Sequence, residues 1–153
     1  MAATEYTIEQ LKQAIGHEVA VSEWLAVSQE MIDQFAETTL DRQWIHVDRG
    51  RAAAESPYGK TISHGFLTLS LLSHLSREAA EVKGEFRMRI NYGLNRVRFP
   101  SAVPAGSRVR AHLAPQSVDD FDGGHQVTWL VTVELEGGAK PALAAEWIVR
   151  LYK

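Results

Sequence analysis

Between Gly65 and Leu75 the apolar positions follow no single stripe: Phe66, Leu67, Leu69, Leu71, Leu72 and Leu75 fall on almost every side of a helix. A helix that is apolar all round is buried on nearly all sides. A run of roughly 11 residues is far short of the about 20 needed to cross a bilayer. The pattern therefore predicts the central helix of a soluble domain, from Gly65 to Arg77 or beyond.

Upstream, Ile8, Leu11 and Ile15 stand at helical spacing behind Thr7, a candidate N-cap, with Gly16 as the stop. From His17 to Val27 the residues Val19, Val21, Leu25 and Val27 keep a period of two, which predicts a strand with those four on one face. Ser28 reads as the cap of a second helix carrying Met31, Ile32, Phe35 and Ala36 and ending near Thr38. Asp41 to His46 shows no period and is expected to be a loop with a short turn. Asp48 caps a brief helix through Ala54, and Ser56 to Lys60 is turn chemistry.

Downstream the texture changes to strands. Phe86–Tyr92 and Leu94–Phe99 read as two strands around Gly93. Val109, Ala111 and Leu113 alternate with Arg108, Arg110 and His112, and Asp119 to Gly124 reads as a hairpin loop. Val127, Trp129, Val131, Val133 and Leu135 share one face of the next strand; Leu143, Ala145, Trp147, Val149 and Leu151 share one face of the last. Strands joined by short turns make an antiparallel sheet. Only the apolar helix is able to cover it. The predicted fold is α+β: a curved antiparallel sheet wrapped around one long helix, in a single domain of residues 1–153.

Composition changes this picture little. The chain has 153 residues, 45% of them hydrophobic, and a formal net charge of −3, which offers no basic footprint for nucleic acid. There is no cysteine, so disulfide and thiolate chemistry are excluded. No signal peptide or membrane-length run is evident, and the expected location is the cytoplasm.

Candidate chemistry sits just ahead of the central helix. Asp41 and His46 are five positions apart, and each is able to handle protons near neutral pH. Taken alone, such a pair is more often a surface pair or a cap. His46 and Asp48 suggest no metal, because no third ligand stands at a convincing spacing. Ser73 either bonds its own helix or supports the pair; His64 reads as a brace for the turn. Trp44 is a lid or a core anchor. Tyr92, Gly93 and Asn95 mark either a ligand passage or a strand bulge. Arg87, Arg89, Arg96 and Arg98 recur at period two, as a solvated strand face or as phosphate contacts.

With these residues in place, the stretch resembles the MaoC-like hydratases, the (R)-specific enoyl-CoA hydratases of hot-dog fold. Their pattern is an acid, any residue, Asn-Pro, an aliphatic residue and His, followed by I-x-H-G leading into the central helix. Here it appears as Asp41, Gln43-Trp44, Ile45 and His46, then Ile62, His64 and Gly65. Gln43-Trp44 replaces Asn-Pro, as in a subgroup related to nodulation protein N.

The resemblance implies water addition to a trans-2-enoyl-CoA, with Asp41 and His46 as the catalytic pair and the Gly65 N–H on the thioester oxygen. Ser73, Gln43, Trp44, Ser63, His64, Tyr92 and Gly93 are then expected to bind substrate or support the pair. It also implies a homodimer, a coenzyme A or acyl-carrier-protein thioester as partner, and no cofactor. The chemistry agrees with the residues: water must lose a proton, and the enolate oxygen needs a preorganised donor of the kind a helix N-terminus supplies. A hot-dog thioesterase and a non-catalytic acyl-binding subunit are the rival readings.

Overall fold

The computed structural model describes residues 2–153. Three of its helices begin where the sequence places caps. Thr7 heads α1 (Ile8–Gln13) in a reciprocal capping box with Gln10. Ser28 Oγ accepts the Met31 N–H, 3.2 Å away, at the start of α2 (Gln29–Thr39), and buries Ile32 and Ala36 on its inner face. α2 stops at Leu40, whose φ of 67° is left-handed and turns the chain before Asp41. Within the expected loop with a short turn, the turn is helical: Trp44–Val47 forms α3. Asp48 then accepts the Arg51 N–H at 2.9 Å and starts α4 (Arg49–Glu55).

The main sheet is antiparallel throughout: β2 (Ala20–Val21) starts the order β2-β6-β7-β8-β5, and β3 (Leu25–Ala26) also pairs with β6. Its long strands are β5 (Met88–Arg98), β6 (Arg108–Phe121), β7 (Gly124–Leu135) and β8 (Leu143–Tyr152). The alternation read from sequence is the observed one: Val109, Ala111, Leu113, Val127, Trp129, Val131, Val133, Leu143, Ala145, Trp147 and Leu151 are all buried. A separate pair, β1 (Thr4–Tyr6) and β4 (Ala80–Val82), runs parallel and had no sequence signal.

Three strand expectations need correction. The first strand is two short ones, β2 (Ala20–Val21) and β3 (Leu25–Ala26). Between them Ser22 exchanges hydrogen bonds with Ala111, its N–H donating to the carbonyl and its Oγ accepting the N–H, both at 2.9 Å. That insertion of a side chain into the ladder breaks the period, so Val21 is exposed while Val27 is buried. Second, β5 is continuous, and its register shifts between Asn91 and Gly93 and again between Leu94 and Val97. Tyr92-Gly93 is thus a bulge. Third, the hairpin between β6 and β7 is tighter than expected: Asp119 to Phe121 stay in the strand and only Asp122-Gly123 turn, with Gly123 at φ 95°.

The central helix is likewise two pieces, α5 (Gly65–Ser70) and α6 (Leu72–Ala79), meeting at Leu71. α6 lies against β6 and α5 against β8. Leu67, Leu72, Leu75 and Ala79 enter the core, but Phe66 is 69% exposed. The expectation of burial on nearly all sides is therefore too strong, because the sheet covers only the side it wraps. No helix among the described residues is long and apolar enough to cross a membrane.

Candidate active site

The segment Thr61–His64 brings the site together. Its backbone is pinned to the loop before β6: Ser63 N–H donates to Val103 at 2.8 Å, and Ala105 N–H donates to Thr61 at 2.9 Å. On its other side it grips α3, where the Ile62 N–H donates to the Ile45 carbonyl at 3.0 Å. The Ile62 carbonyl in turn accepts from His46 Nδ1 at 2.7 Å. A carbonyl only accepts, so Nδ1 carries the hydrogen and Nε2 of neutral His46 keeps its lone pair.

His46 is buried, and burial is the main force holding its pKa below the ordinary histidine value; the neighbouring His64 pushes the same way. The Ile62 carbonyl and the Asp41 carboxylate oppose it. Its neutral form is the one this environment favours, as a general base requires.

His64 comes in beneath it. The two imidazoles are stacked, centroids 3.8 Å apart and planes 24° from parallel, and Phe35 closes the far side of His64 at 4.9 Å. His64 Nε2 donates to the backbone carbonyl of Asp41 at 2.9 Å. One side-chain polar atom from each of Asp41, His46 and His64 lies within 4.8 Å of the others. His64 is thus the third group that linear spacing did not suggest. Stacked rings hold their lone pairs in nearly parallel planes, however, and such planes do not meet at one ion as the tetrahedral ligand set of a zinc site must. The arrangement suits a proton-transfer pair with a buried brace better than a metal centre.

The other candidates separate. Ser63 is buried, with Oγ donating to the His64 carbonyl at 3.1 Å. Gln43 is exposed, and its N–H points at Asp41 Oδ1 from 3.4 Å. Trp44 is half-buried under the Arg51 guanidinium, 4.2 Å from the ring, rather than anchored in the core. Ser73 is turned to β5: its Oγ accepts from Asn91 Nδ2 at 3.3 Å. It lines a cavity of about 230 Å³ between α6 and the sheet, backed by Trp129 and Trp147 and edged by Arg77, Arg89 and Asn91. Gly93 faces a neighbouring hollow that shares Ser73, Asn91 and Trp147 with that cavity. Tyr92 instead stacks under Arg150, 3.6 Å away. Arg87, Arg89, Arg96 and Arg98 are exposed; Arg87, Arg89 and Arg98 donate to the carbonyls of Lys153, Val82 and Val97, and Arg89 also borders the cavity beside Ser73.

Gly65 is in close contact with Phe99. The space a side chain would fill is taken by the Phe99 ring, three of whose atoms lie 3.1–3.2 Å from an ideal Cβ position. The absent side chain makes room for Phe99.

Sequence reading missed Gln29. Its Nε2 donates to the His46 carbonyl at 2.7 Å and to Asp33 Oδ1 at 2.8 Å, while its Oε1 accepts from the Thr61 hydroxyl. It ties α2 to both segments of the site. The only local signal was a glutamine in a first helical turn, which is equally at home in solvent.

Residues 10–136 match the family described as MaoC like domain. This chain belongs to that family. The MaoC-like chain is 51% identical over 145 residues to 3-hydroxyacyl-thioester dehydratase Z of Mycobacterium tuberculosis, covering 94% of the chain and 95% of that protein. It is 48% identical over 146 residues to nodulation protein N of Rhizobium leguminosarum bv. viciae, covering 94% and 90%. Among solved structures it resembles an unliganded R-hydratase of Pseudomonas aeruginosa, with TM-score 0.74, 20% identity and coverage of 95% and 85%. It also resembles an (R)-hydratase of A. caviae, with TM-score 0.71, 23% identity and coverage of 90% and 96%. The MaoC-like chain therefore has the hot-dog fold, with an open antiparallel sheet.

Proposed function

We propose that this chain is an (R)-specific enoyl-CoA hydratase, a hydro-lyase that adds water to trans-2-enoyl thioesters and removes it from (R)-3-hydroxyacyl thioesters. The observation that carries the reading is the approach of Asp41 to a buried, neutral His46 immediately beside the first turn of α5. The kinship with a protein named for dehydrating 3-hydroxyacyl thioesters supports the same reaction.

In the forward direction His46 Nε2 takes a proton from water while Asp41 holds the other hydrogen, and the water oxygen bonds to C3. The C2–C3 π electrons move toward C2 and the thioester oxygen. The proton held by the pair then passes to C2, so nothing is oxidised or reduced. The Gly65 N–H, which has no carbonyl partner four residues back, donates to the oxygen as it gains charge. The cavity between α6 and the sheet is suited to the acyl tail, being walled by Trp129, Trp147 and Leu151. The carrier is coenzyme A or an acyl carrier protein.

The reading includes a homodimer formed by one domain per chain. Its support is β5, an edge strand with Met88, Ile90, Tyr92 and Leu94 exposed at 40% or more. An unpaired edge strand that exposes apolar side chains is a template for pairing.

Loss of enoyl absorbance with crotonyl-CoA and a longer trans-2-enoyl-CoA, followed by chiral analysis, tests the reaction. An (R)-alcohol, with turnover lowered at least about 10²-fold by Asp41→Asn or His46→Ala, is the expected result. Release of free coenzyme A without hydration, or no turnover by a folded protein, overturns it.

A further inference from the structure

His64 does more than brace the turn before α5. It is 3% exposed, and its two ring nitrogens differ sharply. Nε2 donates to the Asp41 carbonyl, so in the neutral ring Nδ1 bears only a lone pair. That Nδ1 is buried and lacks a hydrogen-bond partner. A proton placed there would be a buried donor with no acceptor, which is costly. The ring is stacked on His46, whose Nε2 is the free base.

Resting on the hydratase reading, we infer that His64 is a positioning residue: it fixes Asp41 through the backbone carbonyl and directs the proton of the stacked pair onto His46. Two charged imidazoles 3.8 Å apart would repel strongly, so the pair carries one proton at a time. The unpartnered Nδ1 makes His46 the member that takes it. The groups acting on His46 are Asp41, ahead of α3, and His64; Asp33 on α2 reaches it only through Gln29, and Phe35 from the same helix is apolar.

Two variants separate the two contacts. His64→Gln keeps a side-chain amide able to donate to the Asp41 carbonyl but removes the stacked ring. His64→Phe keeps the stacked ring but removes the donor. The first readout is titration of the His46 ring by NMR on histidine-labelled protein, with folding checked by circular dichroism. Because it needs no substrate, it stands or falls separately from the hydratase assignment. His46 is expected to titrate at higher pH in His64→Gln than in the wild type. The second readout is the kcat/KM–pH profile with crotonyl-CoA. Its acid limb should move up in His64→Gln in step with the NMR, while His64→Phe should lower kcat by about 10² with KM little changed, as misplacement of a reacting group does. An unchanged His46 titration in folded His64→Gln overturns the inference. So does wild-type kcat in folded His64→Phe.

Discussion

The Phe99 ring lies flat against Gly65, its atoms 3.1–3.2 Å from where a β-carbon would stand. Phe66, the next residue, meets the same ring edge-on at 6.3 Å. The start of α5 is therefore shaped by an aromatic side chain from just beyond β5, 34 residues away in sequence. Gly65→Ala should displace Phe99 and cost about 1–3 kcal/mol, the usual penalty of overpacking. Urea unfolding measures it, and adding Phe99→Leu should recover part of the loss. Full stability in Gly65→Ala alone would mean that the ring yields freely.

His46 makes stability depend on pH. Its pKa is lowered in the folded protein, so the unfolded chain binds more protons as pH falls below the ordinary value of about 6.5. The contribution is complete above that value and is lost as pH falls toward and through the folded one. The difference in unfolding free energy between wild type and His46→Gln, followed by urea titration from pH 8 to pH 5, should thus shrink or reverse on acidification. A difference independent of pH would contradict the burial of a neutral ring.

Gln29 should prove as necessary as its position implies. Gln29→Ala leaves the His46 carbonyl and the Thr61 hydroxyl without their partner, at about 1–3 kcal/mol when such groups are buried. A fall in kcat exceeding any change in KM is expected, because the lost bond holds the turn that carries His46. Gln29→Glu retains the acceptor for Thr61 but not the donor, and should recover stability better than activity.

On β5, Ile90→Lys places a charge in the exposed apolar edge without touching the buried core. Sedimentation velocity should show the proposed dimer shifting to monomer at micromolar concentration. A dimer of undiminished strength would place the interface elsewhere.

Most of the element order was legible because amphipathic period and cap chemistry are local. Ser28 and Asp48 start their helices by side chains that reach three residues ahead, and the inner faces of β6, β7 and β8 repeat every second residue. Asp41, His46 and the His64-Gly65 turn were visible as a familiar constellation. The first strand misled because Ser22 bonds to Ala111, 89 residues on, a contact that no local period encodes. The central helix misled because periodicity counts apolar faces without saying which element covers them.

By itself the sequence determined the residue types available for proton transfer, the starts of the helices and the inward face of each long strand. Those follow from side-chain chemistry and from backbone repeats spanning a few residues. Tertiary structure alone decided that His64 stacks on His46, that Gln29 holds the turn beneath it and that Phe99 packs against Gly65. Each of these joins segments whose separation in the chain carries no periodic signal. They are set by closure of the sheet around the helix, which brings the Thr61–His64 segment between α3 and the loop before β6.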